Sequence, residues 1–155
     1  MSCSCFIKSS LRPSHSTRRP TISPANCFYL QGIRHCLHDP GEFSPKKNHS
    51  EATCYCASLG GQLPEAATLE DLMFVRGMKT SGNIWVNAYT PAVGTEGYRW
   101  SRGDVVDTSL WGVGEPNHLS AQSNENCVSL WPQERRLFNV WCDYLSSHVI
   151  CDVIV

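Results

Sequence analysis

The sequence predicts an α+β domain: two helix patterns come first, β-branched strands follow, and cysteines are spread through both parts. At 155 residues and 41% hydrophobic content, the chain suits one domain with a real core better than two. Nine cysteines exceed what a reducing cytosol usually carries as structural elements, which argues for disulfides and an extracellular setting. Zinc is the competing explanation, but the only close cysteine pairs are Cys3/Cys5 and Cys54/Cys56, which do not match paired zinc spacings. The odd count leaves at least one thiol free or bonded to another chain.

Residues 1–26 carry Ser, Pro and Arg with no periodic apolar pattern and predict a disordered basic tail, so the domain is expected over 27–155. Met1–Ala25 has no acidic residue and no apolar secretory core; its composition is that of an organelle transit peptide. The cysteine framework conflicts with an organelle matrix, so an incomplete or misassigned start and a secreted protein are expected instead. CFYLQGIRHC, Cys27–Cys36, reads as a short hairpin closed by its own cysteines.

Ser44-Pro45 predicts a helix start, with Ala52, Cys56 and Leu59 on one face and Gly60-Gly61 as the stop. Cys54 lies about 200° round that helix from Cys56 and should face elsewhere. Thr68 with Asp71 predicts a second capped helix with Leu69, Leu72, Met73 and Val75 inward and Gly77 at its end. IWVNAY (84–89), CVSLW (127–131) and HVICDVIV (148–155) then read as strands. The stretch from Thr90 to Glu125, rich in Gly, Pro, Ser and Asn, is too long for a plain connection and predicts a ligand-bearing loop anchored by Trp100 and Trp111.

A formal charge of -1 gives no field to attract nucleic acid, and no stretch is apolar enough for a membrane span. There is no HExxH, no GxSxG and no Cys-His pair with a base, so no enzyme is expected. Asn48-His49-Ser50 is a glycosylation sequon, in keeping with an extracellular surface. His35, His38 and His49 near Cys36 could form a metal cluster; solvated helix-flank histidines are the stronger expectation.

Five segments in order carry a family resemblance: KKNHSEATCYCASLGGQLPEA, IWVNAY, YRWSRGDVVDTSLWGVGEPN, ENCVSL and HVICDV. Over roughly Cys27–Val153 the chain resembles the C-type lectin-like domain, in its long form with the mannose-type Glu-Pro-Asn motif. The resemblance implies the disulfides Cys56–Cys151, Cys127–Cys142 and Cys27–Cys36. Cys3, Cys5 and Cys54 are left over, which leaves homo-oligomers through these thiols open. His49 stands where the family has Trp, and Asn87 where it has Gly; neither should break the fold.

The resemblance further implies a Ca2+ ion on the long loop that takes two sugar hydroxyls into its own shell, as a large oxygen-liganded cation can. Its ligands, also the sugar-binding residues, become Glu115, Asn117, Glu125 and Asn139. Pro116 joins the sugar-binding set because the family holds the Glu115–Pro116 bond cis, which only an X-Pro bond does cheaply. A Glu acceptor beside an Asn donor implies mannose, glucose, N-acetylglucosamine or fucose rather than galactose.

The family's Trp-Asn-Asp triplet is altered to LFNVWC. In one register Val140 replaces the Asp; in the other Asn139 does, and Phe138 replaces the Asn. Either way one oxygen ligand is lost, and calcium binding weaker than in an intact site is expected. A second calcium site is not expected, since Glu96, Glu125 and Asn126 match but Ala92 and His118 stand where acids are needed. The implied partners are glycans or glycoproteins, in innate recognition or adhesion. The alternative is a lectin-like module with a weakened site that binds protein, lipid or mineral.

Overall fold

The computed structural model describes residues 20–78, 82–90, 97–117 and 126–153. Cys27–Leu30 (β1) and Ile33–His38 (β2) form the expected hairpin, joined by Gln31 (φ 51°) and Gly32 (φ 79°). Two successive positive φ values make the tight turn whose twist matches that of the strands. Cys27 faces Cys36 in register, and the two are disulfide-bonded. Packed structure begins slightly before Cys27: Ser23 caps a 3-10 turn, Pro24–Asn26, and Ile22 rests against the core.

The first helix begins later than the Ser44-Pro45 signal implied. Glu42–Lys47 is a strand (β3), and the helix α1 runs His49–Ser58. Asn48 caps it: its Oδ1 accepts from Glu51 N at 2.9 Å, while Glu51 Oε1 accepts from Asn48 N at 3.1 Å. This reciprocal pair satisfies two end groups of the helix, whereas pairing of residues 42–47 with a later strand takes the upstream segment. Ala52 and Cys56 are buried as expected, and Leu59 packs against the same cluster.

Gly61–Gln62 (β4) precede the second helix, Leu69–Arg76 (α2), which has the expected Thr68/Asp71 capping box and ends at Gly77. Ile84–Tyr89 (β5), Arg99–Trp100 (β6), Cys127–Trp131 (β7) and Arg136–Val140 (β8) form an antiparallel sheet in the order β6-β5-β7-β8. The final segment is two strands rather than one. Ser146–His148 (β9) pairs with β3, the buried pair Val149-Ile150 breaks the run, and Cys151–Val153 (β10) inserts between β2 and β4.

The main core lies where α2 packs on the β5-β7-β8 sheet, around Leu72, Ile84, Trp100, Leu110 and Leu130. A second cluster joins α1 to β10 around Cys56, Leu63, Trp85 and Cys151. The disulfides Cys56–Cys151 and Cys127–Cys142 stand in these layers. No cysteine is free among the described residues, Cys54 included; Cys3 and Cys5 lie outside them.

His35 and His49 are not solvated. His35 sits on β2, is 8% exposed, and its Nδ1 meets Asp152 Oδ2 on β10. His49 lies edge-on to the Trp85 ring, centroids 5.1 Å apart, with Nε2 3.1 Å from Val86 O. At the unusual Asn87, Nδ2 donates to Glu65 Oε2 at 3.2 Å, so the larger side chain is absorbed by a buried acid.

Candidate ligand-binding loop

The described part of the long loop is ordered by short backbone contacts. Val106 N donates to Tyr98 O and Trp100 N to Asp104 O, each at 2.9 Å, which folds 97–106 back on β6. Asp107 caps a 3-10 turn, Thr108–Leu110, which sets Leu110 in the core and carries the chain to Trp111. Trp111 is partly buried and edge-on to Tyr98, with centroids 5.2 Å apart. Trp100 is 2% exposed, so both expected anchors pack.

From Trp111 the chain runs beside β8. Trp111 bridges Leu137, and Gly112 N donates to Leu137 O at 2.9 Å. Glycine at 112 lets the chain pass the Phe138 ring closely: a Cβ there would lie 2.6 Å from Phe138 Cζ, and the ring would have to shift. Gly114 takes φ +77° with open space around it, so its constraint is conformational rather than steric. Glu115 N then closes the turn on Gly112 O at 3.0 Å, and the Glu115–Pro116 bond is cis.

Asn117 follows, and β8 reaches it through one side chain. Asn139 Oδ1 accepts from Asn117 N at 3.1 Å, and Asn139 Nδ2 donates to Asn117 O at 3.1 Å. The same Nδ2 donates to Tyr98 Oη at 3.0 Å. The main-chain N–H of Asn117 only donates and its C=O only accepts, so this pairing fixes which end of the Asn139 amide is oxygen. Phe138 turns away to stack on Trp131, centroids 4.1 Å apart, and Val140 packs with the second core cluster. Asn139 is the only polar side chain of LFNV facing the loop, so in either register its altered neighbour is apolar.

Of the five residues expected at the site, Glu115, Pro116, Asn117 and Asn139 are brought together, while Glu125 lies outside the described residues. Glu96, Ala92 and His118 lie outside them too. One carboxylate oxygen of Glu115 accepts from Asn117 N at 3.3 Å. Asn117 Oδ1 is buried with no hydrogen-bond partner, and so is Asn126 Oδ1 beside Cys127. A buried amide oxygen left without a donor is costly, and a hard cation is one group that satisfies it. The donor set at Glu115 and Asn117 fits such a cation. Asn139 fits it less well, because its oxygen is already engaged by an N–H. Among the described residues no three His, Cys, Asp or Glu side chains converge.

Tyr98 was not among the expected site residues, although it anchors Asn139; a single Tyr among loop residues carries no local signal. Beyond Asn139, Trp141 is 59% exposed and Val113 is fully exposed, which sets apolar surface on both segments flanking the triplet. No helix among the described residues is long and apolar enough to cross a membrane.

The family model of the lectin C-type domain matches residues 45–153. A C-type lectin of Cerberus rynchops is 30% identical over 115 residues, covering 70% of this chain and 68% of that protein. The cow C-type carbohydrate-recognition domain of CD23, solved in the presence of a GlcNAc2Man3 oligosaccharide, aligns with a TM-score of 0.67 at 22% identity, over 88% of this chain and 98% of that one. A calcium-independent type II antifreeze protein aligns with a TM-score of 0.64 at 18% identity, over 87% and 96%. Both structural likenesses speak to fold alone. With the family model spanning both main helices and the sheet, and the three implied disulfides in place, the chain belongs to the C-type lectin domain family.

Proposed function

We propose that this chain is a secreted, non-enzymatic binding module that recognises mannose-, glucose-, N-acetylglucosamine- or fucose-type glycans with the help of a weakly held Ca2+ ion. The observation that carries the reading is the Glu115–Pro116–Asn117 triplet on the long loop, with Asn117 Oδ1 buried and unpartnered. Glu115 and Asn117 hold the cation in this reading, with Glu125 as the further acidic ligand. Bound there, calcium supplies open coordination positions for two neighbouring sugar hydroxyls. Glu115 accepts a hydrogen bond from one hydroxyl; Asn117, its oxygen toward the cation, donates through Nδ2 to the other. With only Glu115 and Glu125 as charged ligands, affinity for calcium is low.

The expected outcome is retention on mannan resin in millimolar calcium and release by EDTA. Glu115→Ala should lower calcium affinity about tenfold or more in calorimetry, as expected when a charged ligand is removed. Unchanged affinity would remove Glu115 from the site.

A second reading has its own support: Asn139 spends its oxygen on the loop backbone, and Val113 and Trp141, two residues from Glu115 and Asn139 in the chain, are exposed apolar side chains. This is a module that binds protein, lipid or mineral without calcium. Binding that persists in EDTA would select it.

A further inference from the structure

We infer that Asn139 is a positioning residue that keeps the ligand loop in shape without calcium, so that metal removal affects ligand binding but not loop order. The inference rests on the reading of the Glu115–Asn117 loop as the binding site, and it changes the role of Asn139 from metal ligand to backbone clamp. In a loop whose shape depends on its metal, polar side chains around the ion repel or lose their partners once it leaves. Asn139 is arranged otherwise. It is 5% exposed, and its oxygen and its nitrogen both engage the main chain of Asn117, the one at its N–H and the other at its C=O. That is a hydrogen-bonded ring between a side chain and a loop residue 22 positions earlier.

The clamp is mounted on rigid parts. β8 pairs with β7 without interruption from Cys127↔Val140 to Trp131↔Arg136, and Cys127–Cys142 ties the two strands just beyond Asn139. From the other side Tyr98 Oη accepts from Nδ2, and Tyr98 is 4% exposed against Trp111. Upstream, the Gly112 N to Leu137 O bond fixes where the loop starts along the same strand. The segment 112–117 is thus held to β8 at both ends by hydrogen bonds that need no ion. An aspartate at 139 would still accept from Asn117 N and can accept from Tyr98 Oη–H, but would lose the donation to Asn117 O and set a charge against that carbonyl.

Amide hydrogen exchange at Asn117, read by NMR without sugar, tests this. Protection in the wild type should agree within about twofold between calcium and EDTA, as for a segment whose opening does not involve the metal. In EDTA, Asn139→Ala should lower it about tenfold, the worth of a lost buried hydrogen bond. If Asn139→Ala does not fold, Tyr98→Phe should lower Asn117 protection by a few-fold while amides of β7 and β8 keep theirs.

Collapse of wild-type protection in EDTA, or full protection in both Asn139→Ala and Tyr98→Phe, would overturn the inference. These wild-type, Asn139→Ala and Tyr98→Phe measurements in EDTA involve neither ion nor glycan. A protein that fails to bind mannan or calcium could therefore still show the clamp, and one that binds both could lack it.

Discussion

His49 packs on Trp85 with only one ring nitrogen matched to a protein acceptor, and burial lowers its pKa from 6.5 despite the bond to Val86 O. The folded state therefore prefers the neutral ring. The associated stability is fully present above pH 6.5, and is lost as pH falls from there through the lowered folded value. Glu65 and Asp152 act in the opposite sense: burial raises both, so their protonation adds stability at lower pH. Comparison with His49→Gln, which keeps a donor for Val86 O, isolates the histidine. The wild type should lose ground to the variant below pH 6.5, by at most about 1.4 kcal/mol per pH unit, in denaturant titrations at several pH values. An unchanged gap from pH 7 to 5 would show that the ring titrates freely. The triplet Glu115–Pro116–Asn117 was legible in the sequence because its three residues act as one local motif. Asn139 was singled out in the sequence, but its contact with the loop was not legible, since nothing in LFNVWC tells which side chain turns toward a segment far upstream.

The hairpin, the turn before α2 and the long loop meet in one polar network. Arg102 Nη1 donates to buried Glu65 Oε1 at 3.1 Å, Arg102 Nε to Asp104 Oδ2 at 2.9 Å, and Gln31 Nε2 to the same Asp104 oxygen at 2.8 Å. Glu65 is 3% exposed, so Arg102 is what makes its charge tolerable there. Arg102→Ala should cost about 2–3 kcal/mol at neutral pH, below the full penalty for breaking a buried pair because the guanidinium reaches solvent. Glu65→Gln combined with Arg102→Ala should recover part of that loss; equal stability of the single and double variants would deny the coupling. Such connections explain which elements could be read in advance. α2 was legible because its cap, apolar face and stop are adjacent in sequence. β3 was misread as a helix start because Pro45 is compatible with either, and the choice is made by β9 about a hundred residues later. β8 went unread for a similar reason: RLFNV alternates only weakly until β7 is beside it.

The family resemblance reached the whole fold because the cysteines, helix faces and strands agree with one another, whereas the order of strands in the sheets needed coordinates. The longest covalent link, Cys56–Cys151, spans 95 residues and joins α1 to the strand that closes the hairpin sheet. Replacing both cysteines by alanine should cost about 4–5 kcal/mol through the added freedom of the unfolded chain. Chemical unfolding of the otherwise oxidised protein measures this, and a loss under about 1 kcal/mol would show that the loop-closure account does not apply here. The same link has a mechanical side. Tension applied at Cys27 and Val153 passes through Cys27–Cys36, along the backbone to Cys56, and across to Cys151. Only the segment between Cys36 and Cys56 can pay out, roughly 70 Å at full extension. Residues 57–150, with Glu115, Asn117 and Asn139 among them, lie off that load path, so while its disulfides hold, the domain can be pulled at Cys27 and Val153 with the Glu115–Asn117 segment slack.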